Sequence, residues 1–136
     1  MGPGVSIVGV GIDLVELERV RQILARRRDQ AMERFLTEKE REYVSSRPDP
    51  VPHMAARLAA KEAVYKALQE LPDCRGVGWR DIEVSRDESG KPSVSLSGIA
   101  AAAADANGPI RIHLSFTHTH TSAAAVAVIE RRGAAR

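Results

Sequence analysis

The run Ala56-Arg57-Leu58-Ala59-Ala60-Lys61-Glu62-Ala63-Val64-Tyr65-Lys66-Ala67-Leu68 constrains this chain more than any other stretch. Alanine and leucine have high helix propensities and neither Gly nor Pro interrupts the run, so it predicts a helix. At about 100° per residue, Ala56, Ala60, Ala63, Val64, Ala67 and Leu68 fall on one apolar arc. An arc so rich in alanine demands a close-packed neighbour, either a sheet or another helix. Glu62 and Lys66 are one helical turn apart on a different face, and Arg57 with Lys61 repeats that spacing. Leu58 and Tyr65 fall beside Lys61 and Glu62, so the charged side is partly covered. A carboxylate among cations in that setting suits a metal ion and an anionic ligand. The same residues also describe a solvated face with an ordinary ion pair, and the helix alone does not choose.

At 136 residues the chain fits a single domain, 1–136, with a real hydrophobic core. Formal net charge is only +2, but the sequence pI is near 9.0 and Arg26-Arg27-Arg28 form a basic cluster. Mild basicity favours acidic partners through steering. No interleaving of aromatic and basic residues points to nucleic acid, and no apolar run approaches a membrane span. Cys74 stands alone, so a disulfide framework is excluded and a reducing, cytoplasmic setting is expected. No targeting segment is expected, although Met1-Gly2-Pro3-Gly4-Val5-Ser6 matches the loose myristoylation pattern, with Pro3 an odd neighbour for Gly2.

Taken in order, Val5 to Asp13 predicts a strand. Val5, Ile7, Gly9, Gly11 and Asp13 share one face, and the two glycines there leave room for close approach to the backbone. Asp13 could equally cap a helix from Val15 to Leu24, whose apolar stripe is Leu17, Val20 and Leu24. Arg19 and Arg21 point away from that stripe. Thr37 with Glu40 has capping-box spacing for a helix to about Ser45. Arg47-Pro48-Asp49-Pro50-Val51-Pro52 reads as a stiff loop before the central helix. Gln69 to Gly78 is irregular, and Trp79–Val84 and Pro92–Ser97 read as strands about the turn Asp87–Lys91. Ile99 to Ala106 predicts a helix stopped by Asn107-Gly108-Pro109. Ile110–Phe116 and Ala123–Glu130 predict a hairpin joined across Thr117–Thr121. The fold class is therefore α+β.

His113, His118 and His120 crowd the hairpin tip, yet no Cys joins them and the spacing is no known zinc pattern. Hydroxyls and imidazoles on a loop are also natural phosphate contacts, since they donate to oxyanions. A plain polar turn is the alternative.

Four blocks, taken together, resemble the short bacterial-type holo-[acyl-carrier-protein] synthases, which are 4′-phosphopantetheinyl transferases. They are Gly9-Val10-Gly11-Ile12-Asp13-Leu14-Val15-Glu16, the run Arg57–Ala67, Asp81-Ile82-Glu83-Val84 with Gly90-Lys91-Pro92, and Ser115-Phe116-Thr117-His118-Thr119. The resemblance extends from about Val5 to Glu130. It implies a single transferase domain with the central helix on an antiparallel sheet, assembled as a homotrimer with sites in the subunit clefts. The implied reaction moves 4′-phosphopantetheine from coenzyme A to a serine of apo-acyl carrier protein. Asp13 and Glu62 match the family's magnesium ligands, which agrees with the preference of Mg²⁺ for one or two carboxylates plus waters and substrate phosphates. Lys66 is the further catalytic candidate, at the pyrophosphate or in proton transfer. Arg57, Lys61, Lys66, Gly90, Lys91, Pro92, Thr117, His118 and Thr119 match positions around the coenzyme A pocket. Arg19, with Arg21 near it, matches the basic surface that docks the acidic carrier protein. Two departures stand out: Leu68–Gly76 fills a loop where the family usually has an early glycine, and His120 and Ser122 replace more usual residues. A non-catalytic module binding a nucleotide or carrier protein, and a zinc-binding structural protein, are the competing classes.

Overall fold

The close-packed neighbour that the alanine arc demands is a sheet. The computed structural model describes residues 4–106 and 108–132. Its elements run β1 (Val5–Glu16), α1 (Leu17–Phe35), α2 (Glu38–Ser45), α3 (Pro50–Leu68), a 3-10 turn (Trp79–Asp81), β2 (Ile82–Arg86), β3 (Pro92–Leu96), α4 (Gly98–Ala106), β4 (Ile110–His118) and β5 (Ser122–Arg132). An antiparallel sheet of order β1-β5-β4 carries α3 across one face, and β2 and β3 form a separate hairpin. Gly9 and Gly11 face α3, and a Cβ at either would collide with the carbonyl of Ala67 or Ala63. Beside them Ala123, Ala125, Ala127 and Ile129 are buried under the same helix. Small residues on both surfaces thus bring helix and sheet backbones into near contact. The alternate residues of β1 and β5 face away: Ile12 and Leu14 remain 69% and 66% exposed, with Val10 and Val126 beside them.

Several expectations need correction. β1 continues to Glu16, so Asp13 lies inside a strand in register with Ala125 and cannot cap α1. α1 continues past Leu24 to Phe35 through a kink at Arg27 (φ −145°, ψ 52°), which re-aims its buried stripe to Ala31 and Met32. The proline-rich segment is not all loop. Pro50 and Pro52 sit in the first turn of α3, where backbone N–H groups have no intrahelical partner, and Asp49 caps the helix by accepting from Val51 N at 3.2 Å. Trp79–Asp81 is a 3-10 turn rather than strand. Thr117 and His118 belong to β4, leaving a shorter tip of 119–121. The helix stop at Asn107 and the Gly2 pattern lie outside the described residues. Among those described, no helix is long and apolar enough to cross a membrane.

The capping box at Thr37 forms as expected, and its Glu40 does more than cap. Glu40 is 1% exposed. Its Oε1 accepts from Thr37 N at 2.8 Å and from the Lys61 ammonium of α3, while Oε2 accepts from Val84 N of β2 at 2.8 Å. One carboxylate therefore joins α2, α3 and the small hairpin. Removing one partner of a buried pair strands the other charge in the core, at a cost of about 3–5 kcal/mol. Glu40→Leu should lower stability by that order in chemical denaturation. Glu40→Leu with Lys61→Met should recover part of the loss, because no unpaired ammonium remains; a double variant no more stable than the single would contradict this account.

Candidate active site

β1 delivers Asp13 to the inward face of the sheet at its end near α1, and α3 delivers Glu62 and Lys66 across from it. Lys66 Nζ donates to Asp13 Oδ1 at 3.1 Å and to the Ile12 carbonyl at 3.1 Å. The Glu62 carboxylate makes no hydrogen bond or ion pair among the described residues. Partial burial pushes its carboxyl above the ordinary range, the negative charge of Asp13 pushes further, and Lys66 opposes both. Two carboxylates that repel one another beside an open cleft offer oxygen ligands to a hard divalent cation. Asp13 and Glu62 thus fit Mg²⁺ in number and type. They line a cleft of about 550 Å³ with Leu14, Glu16, Arg19 and Phe35, and Glu62 also borders a smaller one of about 280 Å³ with Tyr65, Gly78 and Trp79. Arg19 is exposed on α1 at the rim of the larger cleft, and Arg21 projects beyond it, 3.8 Å from Glu18.

Arg57 and His118 occupy a different place. Arg57 precedes Glu62 and Lys66 by five and nine positions, so at about 100° per residue it lies roughly 140° and 180° around α3 from them. It is buried, stacks on Tyr43, and has Arg86 as a further positive neighbour. Burial lowers its proton affinity most, and neighbouring Tyr43 and Glu40 oppose that. Arg86 lies over the Phe116 ring at 4.7 Å, tying the small hairpin to β4. Gly90, Lys91 and Pro92 form the end of that hairpin. Gly90 adopts φ +85°, which favours glycine, and Lys91 N donates to Asp87 Oδ1 at 3.0 Å. Lys91 and Pro92 line a cleft of about 620 Å³ bounded by β3, α4 and β4.

Lys61 is enclosed. Burial holds its ammonium below its ordinary pKa, against the pull of Glu40, so it serves the core. Thr119 organises the hairpin tip: its Oγ1 accepts from the backbone N–H groups of Thr121 and Ser122, each at 3.1 Å. Alternation along β4 sends Thr117 and His113 outward, His113 to Glu130 at 2.9 Å, and His118 to the inner face near His53. His113 and His118 thus lie on opposite faces of the sheet, and among the described residues no group of three or more His, Cys, Asp or Glu side chains could hold a metal. Reading the sequence missed Tyr43, Arg47, His53 and Arg86; the one-turn spacing of His53 and Arg57 was the available signal.

Comparison with known proteins agrees with these blocks. The model of the 4′-phosphopantetheinyl transferase superfamily matches residues 9–129. The holo-[acyl-carrier-protein] synthase of Caldanaerobacter subterraneus subsp. tengcongensis is 45% identical over 93 residues, covering 68% of this chain and 71% of the relative. The crystal structure of the Bacillus anthracis holo-(acyl-carrier-protein) synthase in complex with CoA (3′,5′-ADP) is 36% identical, with a TM-score of 0.71 over 91% of this chain and 96% of that one. The Helicobacter pylori holo-[acyl-carrier-protein] synthase in complex with coenzyme A is 27% identical, with a TM-score of 0.72 over 88% and 98%. With strand, central helix, hairpin and histidine segment all inside the matched region, the chain belongs to the holo-[acyl-carrier-protein] synthase family of the 4′-phosphopantetheinyl transferase superfamily.

Proposed function

We propose that this chain transfers 4′-phosphopantetheine from coenzyme A to a serine hydroxyl of apo-acyl carrier protein in the cytoplasm, releasing adenosine 3′,5′-bisphosphate. The observation that carries this reading is the meeting of Asp13 and Glu62, from strand and helix, in one cleft beside Lys66. The serine oxygen forms a bond to the phosphorus that bears pantetheine, the bond from that phosphorus to the bridging pyrophosphate oxygen breaks, and the hydroxyl proton is lost. Mg²⁺ held by Asp13 and Glu62 would neutralise charge on the pyrophosphate and on the departing phosphate. Lys66 is half-exposed and within reach of the same space, so its ammonium can turn from Asp13 to a phosphate oxygen. Relatives crystallised with coenzyme A support the donor, and the names of relatives support the acceptor.

The same reading requires more than one copy of the chain. Arg57, Thr117, His118, Thr119 and the Gly90–Pro92 turn are the remaining coenzyme A candidates. Since Arg57 lies around α3 from Glu62 and Lys66, and His118 of β4 sits near His53 on the Arg57 side, one ligand reaches both sets only where two subunits meet. The uncovered Val10, Ile12, Leu14 and Val126 offer an apolar face for that contact, and a homotrimer is the assembly we infer. Asp13 and Glu62 belong to the same half of the site. Arg19, at the rim of the cleft, is placed to meet an acidic carrier protein.

Three measurements test this. Asp13→Asn or Glu62→Gln should reduce turnover by at least about 100-fold at limiting Mg²⁺ with the melting temperature retained, as expected when a transition-state charge contact is lost; near-normal turnover in either would remove the metal assignment. Glu62→Gln mixed with His118→Ala, after verified subunit exchange, should regain activity that neither variant has alone, whereas Asp13→Asn mixed with Glu62→Gln should not. Arg19→Glu should raise the KM for carrier protein more than that for coenzyme A. That defect should shrink with added salt, because screening weakens the repulsion; equal losses for both substrates would move Arg19 into the coenzyme site.

A further inference from the structure

Tyr43 on α2 lies between two guanidinium groups, with Arg57 4.2 Å and Arg47 4.9 Å from its ring centroid. His53 meets the same ring edge-on at 5.7 Å and 77°, and stands 6.4 Å from His118 at the end of β4. His53 is also one helical turn before Arg57 on α3, so the two rise from one face. Arg57 is only 3% exposed, and its Nε has no hydrogen-bond partner. Buried guanidinium groups are usually paired with carboxylates. Here an aromatic face holds the group by a cation–π contact, which orients the charge without neutralising it. Glu40 is the carboxylate that acts on Arg57, and it is already bonded to Lys61. The corner where α2, α3 and β4 meet is therefore rich in uncompensated positive charge.

We propose that His53 is a further phosphate-binding residue beside Arg57 and His118, taken into the complex as its imidazolium, and that Tyr43 is the positioning residue that holds Arg57 for the same anion. This rests on the reading of coenzyme A as donor. The two imidazoles are close enough for one oxyanion to accept from both through charge-assisted hydrogen bonds of about 2.8 Å. Burial holds His53 below its ordinary pKa, and the charges of Arg57 on α3, Arg47 in the preceding turn and His118 on β4 add to that effect. Asp49 at the helix cap opposes it, and the Tyr43 ring meets the imidazole edge-on. An oxyanion set among these cations reverses the local field, so His53 gains a proton as the anion arrives. The affinity is then coupled to pH and weakens as pH rises.

The test is calorimetric binding of adenosine 3′,5′-bisphosphate to the full chain near pH 7.5, in buffers of different ionisation enthalpy. At that pH the phosphate groups of the probe are largely dianionic, since their second pKa is about 6. Wild type should take up a proton on binding. His53→Gln should abolish most of that uptake and weaken binding roughly tenfold, the equivalent of one charge-assisted hydrogen bond. Tyr43→Phe should bind as wild type, whereas Tyr43→Leu should weaken binding by a similar factor with proton uptake retained. Unchanged proton uptake in folded His53→Gln, or unchanged affinity in Tyr43→Leu, would overturn the proposal. If His53→Gln fails to fold, wild type still decides, because binding without proton uptake rules the coupling out. Normal transfer without His53-linked uptake removes this inference alone; proton-linked binding without transfer removes only the transferase reading.

Discussion

The Glu40–Lys61 pair is the contact on which the rest of this small domain depends. Its carboxylate receives the start of α2, the middle of α3 and the first strand of the small hairpin, three segments far apart in sequence. Buried pairs contribute little net stability, because the cost of desolvating both charges roughly offsets their attraction. They do penalise every arrangement in which one partner lacks the other. α3 is buried over most of its circumference and carries a short, mostly alanine surface, so apolar contact alone leaves its rotation loosely specified. A single hydrogen-bonded lysine removes that freedom. With α3 set, Glu62 is committed to the Asp13 cleft and Arg57 to the Tyr43 corner.

This division explains what the sequence revealed and what it hid. The central helix, the glycine face of β1, the capping box at Thr37 and both hairpins were legible because each rests on local periodicity or turn chemistry. Asp13 and Glu62 were singled out only by the resemblance of their two blocks to a known family, since the glycine-rich strand and the alanine-rich helix each left an ordinary structural role open. Local rules failed where tertiary context prevailed. Asp13 looks like a helix cap until β5 pairs with the strand as far as Glu16. Pro50 and Pro52 look like breakers until Asp49 starts a helix in front of them. The role of Glu40 in joining three elements was out of reach, since nothing in its own segment distinguishes it from an ordinary capping residue. Lys61 shows the same problem from the other side: it sits beside Glu62 in the sequence and looks like a ligand, yet its ammonium is turned into the core.

The electrostatic layout has two poles. Around Asp13 and Glu62 negative charge gathers, held in check by Lys66; around Tyr43 positive charge gathers, with an aromatic ring where a carboxylate would ordinarily stand. In the reading proposed above, a dinucleotide-like donor with a bridging pyrophosphate and a separate phosphomonoester would meet both poles. The cation-requiring part would sit at the acidic pole and the bare phosphate at the basic one. Neither pole neutralises itself by collapsing onto the other, because α3 stands between them.

The near contact of Gly11 with the Ala63 carbonyl has a consequence for how this protein tolerates mutation. Neither residue bears a functional group, yet between them they set the separation between the strand-borne carboxylate of Asp13 and the helix-borne carboxylate of Glu62. In a saturation scan scored by activity, both positions would rank with Asp13 and Glu62 themselves and resemble chemistry that is not there. The information that specifies the site is in this sense spread into residues whose contribution is to have no side chain, or almost none.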